Sequence, residues 1–159
     1  MKFLRKKDDD CYRLASMQAR IFEKSSNEGI ASYFFIQKFM NSMDAKSLDD
    51  LSFLLSGSSE IELYFNCIKA VKRTKGQVYP SSVMHWIGFF YRYASYLTGI
   101  SSMELFKKIS PKYLNQVYPL YHGLDIVKAI EMVFESQHIE QETPNERFIN
   151  LYRLGKINI

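Results

Sequence analysis

The sequence predicts an all-α fold: one helical domain over residues 1–159, arranged as a single compact irregular bundle of about seven or eight helices. Three observations carry this expectation. Apolar residues recur at intervals of three and four through most of the chain. Serine, threonine or aspartate precedes these runs and glycine follows several of them, the order that starts and stops helices. No apolar–polar alternation of useful length marks a strand, and the terminal KINI reads at most as a short extended tail.

The first helix is expected over residues 9–24, with Leu14, Met17, Ile21 and Phe22 on one face. Asp8, Asp9 and Asp10 lie at its positive end, where carboxylates are favourable. The second helix covers residues 28–43 and turns Ile30, Phe34, Phe35 and Phe39 inward. A shorter amphipathic segment over residues 44–56 carries Leu48, Leu51, Leu54 and Leu55, and Gly57 closes it. Ser59 and Glu62 have the spacing of a capping box. The helix they open has Ile61, Tyr64, Phe65, Ile68 and Val71 as its apolar stripe and ends at Gly76. VYPSS is an extended connector, because the residue before Pro80 is pushed out of the helical region. Ser81 or Ser82 then caps an aromatic helix that ends at Gly99. Ser101 with Glu104 makes another capping box, and Ser110 caps a helix with Pro111 at its first position. Asp125 caps DIVKAIEMVFES. TPNERFINLYRLG carries cap, proline, capping glutamate and terminating Gly155 in helical order.

Composition excludes several classes. Hydrophobic residues make up 47% of the chain and aromatics 15%, too apolar for a disordered protein. The formal charge of +4 is mild, and its only dense run is Lys69, Lys72, Arg73 and Lys75. That run falls at a helix C-terminus, where the dipole favours cations without any nucleic acid. Cys11 and Cys67 are too few and too far apart for a disulfide framework or a CxxC site; they read as free thiols in a reducing compartment. In MKFLRKKDDD an acidic run stands where a secretory signal needs an apolar one. No stretch of about 18 apolar residues exists to span a bilayer, so a cytoplasmic protein without a membrane partner is expected.

HWIGFFYRYASYLTG, residues 85–99, is the most distinctive stretch. On a helical wheel Trp86, Phe90, Tyr93 and Leu97 share one face, Ile87, Tyr91 and Ala94 flank it, and Phe89, Arg92 and Tyr96 form a third line. Apolar or aromatic side chains on almost every side mark a central helix. Gly88 costs about 1 kcal/mol against alanine inside a helix, which close approach of another helix would offset. Arg92 is one turn from Phe89 and from Tyr96, so its guanidinium has a ring to stack on, and at that depth it needs a carboxylate or carbonyl oxygen. A planar five-donor group suits a structural clamp first and a ligand or partner contact second.

Catalytic and metal patterns do not emerge, so no catalytic residue, cofactor or metal is expected, and the reading leans away from an enzyme. His85, His122 and His138 have neither the i, i+4 partner nor the nearby cysteines of a metal site. His122 ends a helix, His85 starts one, and His138 lies in a polar connector. LSGSS lacks the GK[ST] ending of a phosphate loop, and no G-x-S-x-G occurs. Glu60 and Glu62 sit in a capping turn, and Asp49 and Asp50 are read as lying on an exposed helical face. SSMELFKKISPKYLNQVYPLY is a poor helix-turn-helix, with Ser-Pro in its turn and Lys112 as the only early basic residue of its second helix. Tyr91, Tyr96, Tyr113, Tyr118 and Tyr121 lie in consecutive helices, and tyrosine is a favoured interface anchor. With Arg92 and His122 they form the candidate partner-binding set.

FIQKFMNSMDAKSLDDLSFL, followed by YPSSVMHWIGFFYRYASYLTGISSMELFKKISPKYLNQVYPLYHGLDIVKAIE, resembles the small helical companion proteins encoded beside ADP-ribosyltransferase-like toxin domains in Firmicutes. The residues carrying the resemblance are Trp86, Ile87 and Gly88; Tyr91, Arg92 and Tyr93; Ser101 and Ser102; and Tyr121, His122, Leu124, Asp125, Ala129, Ile130 and Glu131. It covers about residues 35–131 and departs at both ends. It implies a bacterial antitoxin or accessory protein whose partner is another protein, such as a toxin encoded nearby, and it brings no catalytic residues with it. Two alternatives stand beside it. One is a small ligand-binding or enzymatic domain in which Arg92 and His122 converge in one cleft; the other is a phage-type inhibitor of a host defence protein.

Overall fold

The computed structural model describes residues 9–71 and 75–140, and among these it contains nine helices and no strand. The all-α bundle expected from the periodicity is what forms. The segments TPNERFINLYRLG and KINI, the start of the chain through Asp8, and Lys72 and Arg73 lie outside the described residues.

The bundle is organised around two long helices, α1 (Asp9–Asn27) and α6 (Ser81–Thr98), which pack together more extensively than any other pair. Small residues make this possible. Ala15 and Ala19 of α1 are fully buried, and a Cβ on Gly88 of α6 would stand 2.8 Å from the Gln18 carbonyl oxygen and 3.0 Å from the Ala19 Cα. The close approach that Gly88 implied is therefore α1, backbone to backbone. Every residue of α6 from Phe90 to Thr98 is buried. Gly99 ends it in the left-handed conformation (φ 77°), with its N–H on the Ser95 carbonyl at 2.8 Å.

The other helices wrap this pair. They are α2 (Ser32–Met40), α3 (Met43–Asp49), α4 (Phe53–Ser56), α5 (Glu60–Ala70), α7 (Ser102–Lys108), α8 (Pro111–Tyr121) and α9 (Ile126–Ser136). Caps fall where the sequence places them. Ser59, Ser101, Ser110 and Asp125 accept from the backbone N–H of Glu62, Glu104, Tyr113 and Val127.

Four local expectations are corrected. The segment over residues 44–56 is two helices, because Asp50 accepts the Ser52 N–H at 2.9 Å and Leu51 takes a left-handed φ of 64°. Phe53 then turns inward, while Leu54 and Leu55 face solvent, Leu55 at 91% exposure. On α2 the inward residues are Phe35, Ile36, Phe39 and Met40, and Phe34 is exposed. On α5 the buried positions are Leu63, Tyr64 and Cys67, while Ile61 and Phe65 are exposed. Two hydrogen bonds set that rotation: the Tyr64 hydroxyl donates to Glu28, and Cys67 Sγ lies 3.7 Å from the Phe35 carbonyl. Lastly, neither Ser81 nor Ser82 caps α6; Pro80 occupies the cap position and no side chain bonds there.

Both cysteines are buried, and burial pushes the Cys67 thiol up to about 12. No helix among the described residues is long and apolar enough to cross a membrane.

Candidate functional site

Arg92 is the natural starting point, and it lies wholly inside. Its side chain has 0% exposure, and its donors are taken by three other helices. Nε donates to Gln18 Oε1 of α1 at 2.8 Å, Nη1 to Asp49 Oδ1 of α3 at 2.5 Å, and Nη2 to Ser102 Oγ of α7 at 2.8 Å. The guanidinium also lies 5.5 Å from the Tyr96 ring centroid, the stacking that one helical turn allows. Asp49 closes the network: Oδ2 accepts the Ser102 N–H at 2.9 Å, and Oδ1 accepts the Ser102 hydroxyl at 2.6 Å. Gln18 turns its amide the other way, donating to the Gly88 carbonyl at 3.1 Å. The reading of Asp49 as a solvated surface carboxylate is therefore wrong. Its side chain is only 15% exposed, because the helix break after it aims the carboxylate at α6 and at the first N–H of α7.

Two candidate tyrosines are buried beside this network. Tyr91 has 0% exposure and its hydroxyl donates to the Ile109 carbonyl at 2.5 Å; Tyr96 has 2% and donates to the Leu48 carbonyl at 2.7 Å. Burial raises the Tyr91 phenol well above its ordinary range and pushes Tyr96 up to about 12. Tyr91, Arg92 and Tyr96 thus hold helices together, and none of them is available to a partner. Of the candidate set, Tyr113, Tyr118, Tyr121 and His122 reach the surface. The Tyr113 hydroxyl is hydrogen-bonded to Ser136.

Tyr118 and His122 help line an open groove of about 520 Å³, bounded by α1, α6, α8 and the start of α9. Tyr12 and Glu23 come from α1, Ser82, His85, Trp86 and Phe89 from α6, and Leu124 and Ile126 from the approach to α9. Its rings brace one another. Tyr12 meets Phe89 edge-on at 5.2 Å between centroids, and Trp86 meets Tyr118 edge-on at 5.7 Å. The His122 ring stacks on Tyr118 at 4.3 Å, and its Nδ1 lies 2.7 Å from the Tyr118 carbonyl. His85 Nδ1 is 3.0 Å from Glu23 Oε2. Arg92 does not line the groove, so the cleft in which Arg92 and His122 would converge does not form.

Of the groove lining, sequence reasoning named only Tyr118 and His122 as site residues; the α1 and α6 walls, Tyr12, Glu23, His85, Trp86 and Phe89 among them, were missed. Part of the signal was present, since Ser82, His85, Trp86 and Phe89 recur at intervals of three and four and form one stripe along α6. The α1 contribution had no signal, because it depends on the α1–α6 register. Among the described residues no group of three or more His, Cys, Asp or Glu side chains is placed to hold a metal ion. Comparison of the chain with family models, with curated proteins and with solved structures finds no match.

Proposed function

We propose that this chain is a cytoplasmic binding protein, an antitoxin-like or accessory partner that neutralises or assists an ADP-ribosyltransferase-like toxin. Its contact is the surface where α6 and α8 meet. One observation carries the reading: the aromatic groove is lined by Trp86, His122 and Leu124, three of the residues on which the resemblance rests. Gly88, Arg92 and Ser102, also among those residues, build the interior that fixes the groove's walls. Tyrosine and tryptophan bring large contact area at small entropic cost, and binding energy concentrates on such anchors. Tyr118 is the central anchor, with Tyr113 and Tyr121 half-buried on its flanks and Leu120 exposed at 71% beside it. Lys107 and Lys108, exposed at the end of α7 and outside the groove lining, are surface charges whose truncation affects the association rate more than the contact energy.

The test is co-expression with the product of the neighbouring gene. The two proteins are expected to co-purify, and Tyr118→Ala is expected to weaken the complex more than Lys107→Ala or Lys108→Ala. If they neither co-purify nor alter each other's toxicity or activity, the reading is wrong.

A further inference from the structure

The groove has a charge and ring pattern that selects its occupant. Tyr12, Trp86, Phe89 and Tyr118 line it with aromatic rings, whose faces carry negative potential. Among the described residues, and with histidines counted as neutral, Glu23 is its only formally charged lining residue, and no lysine or arginine lines it. This stands out on a chain of net charge +4. The Glu23 carboxylate is 39% exposed, and its hydrogen bond among the described residues, to His85, uses a fraction of a carboxylate's acceptor capacity. Rings and carboxylate therefore favour the same ligand, a cation with a flat face.

We infer that the groove receives an arginine side chain presented by the partner protein, with the guanidinium laid against the rings and its N–H groups on the Glu23 carboxylate. Guanidinium fits this site better than ammonium does. It is planar, so it stacks, it is weakly hydrated, so it enters an apolar groove, and its fork matches a carboxylate. A volume of about 520 Å³ holds such a side chain and part of its backbone. The inference rests on the protein-binding reading for the source of the arginine, while the groove's selectivity is measurable without any partner.

Trp86 is the only tryptophan in the chain and stands in the groove wall, so its emission reports occupancy. The experiment titrates the full-length protein with N-acetylarginine methylamide and with its uncharged citrulline isostere, at constant ionic strength. The arginine compound is expected to change Trp86 emission saturably and to bind about tenfold or more tighter than the citrulline compound, the worth of one charge-assisted hydrogen bond. Glu23→Gln keeps the shape and the oxygen facing His85, and it is expected to erase that preference while leaving the helical circular dichroism unchanged. Equal responses to the two compounds, or a preference that survives Glu23→Gln, overturns the inference and assigns the groove to a neutral or apolar segment. Arginine selectivity without a complex with the neighbouring gene product upholds the groove's chemistry and removes the toxin as its source. A complex that forms with a groove indifferent to charge does the reverse.

Discussion

Replacing Arg92 by alanine removes a side chain that ties α6 to α1, α3 and α7 together. Three hydrogen bonds are lost, to Gln18, Asp49 and Ser102, along with the contact on the Tyr96 ring. The arginine is fully buried and Asp49 nearly so, so the carboxylate is left inside without its counter-charge. Removing one partner of a buried pair costs about 3–5 kcal/mol. Asp49 keeps its bonds from Ser102, which holds the figure toward the lower end. Against a total of about 5–15 kcal/mol for an ordinary domain, this is a large fraction. At this chain length it lowers Tm by about 6–20 °C. Arg92→Lys is expected to recover less than half of the loss, because a point ammonium cannot reach three acceptors as the fork does. Asp49→Asn combined with Arg92→Met is expected to destabilise by about 1–3 kcal/mol less than the sum of the two single changes. The assay is urea unfolding followed by circular dichroism at constant m. An Arg92→Ala protein within about 1 kcal/mol of the parent would refute the clamp and return Arg92 to the list of functional residues.

Gly88→Ala is expected to destabilise by about 2 kcal/mol despite alanine's better helix propensity, because the new methyl meets the Gln18 carbonyl and the Ala19 backbone; unfolding at parental stability would contradict that packing. Stability is expected to fall as pH rises above about 9–10. Tyr64, Tyr79, Tyr91, Tyr96 and Cys67 all have raised folded-state pKa values, so the unfolded chain releases their protons first and gains up to about 1.4 kcal/mol per pH unit for each group. Their contribution is fully present below the unfolded pKa values and is lost toward the folded ones. Tyrosinate absorbance that develops completely while the helical signal stays intact would contradict this. Neither cysteine is expected to react with a thiol reagent in the native protein, since Cys11 and Cys67 are buried; stoichiometric labelling without unfolding would show otherwise.

Local chemistry was legible in the sequence at most helix ends made by neighbours in the chain, the start of α6 being the exception. Ser59, Ser101, Ser110 and Asp125 cap where their spacing says, and Gly57 and Gly99 stop helices in the left-handed conformation. Two non-local facts were also legible in kind, because each follows from a cost. Gly88 required a close neighbour, and a buried Arg92 required an oxygen. Which neighbour and which oxygen were not legible, since Gln18 lies 70 residues from Gly88 and Asp49 lies 43 from Arg92. Helix rotation failed where the hydrophobic stripe is broad. On α5 periodicity alone left Ile61 and Phe65 as good a choice as Leu63 and Cys67, and hydrogen bonds to Glu28 and Phe35 decided it. The groove was hidden for the same reason. Its walls come from both ends of the described chain, and only the packing of α1 on α6 brings Tyr12 and Glu23 beside Trp86.

On the proposed function, the neighbouring gene encodes an ADP-ribosyltransferase-like toxin, and its transfer rate, measured at fixed enzyme concentration while this chain is titrated in, tests the binding claim most directly. A saturable change in rate near equimolar addition is expected, downward for an antitoxin and upward for an accessory protein. With Tyr118→Ala the Kd obtained by fitting the titration should rise by roughly thirtyfold, the equivalent of about 2 kcal/mol at a central anchor. A transfer rate that stays constant up to a large excess of this chain would show that the two proteins do not act on each other.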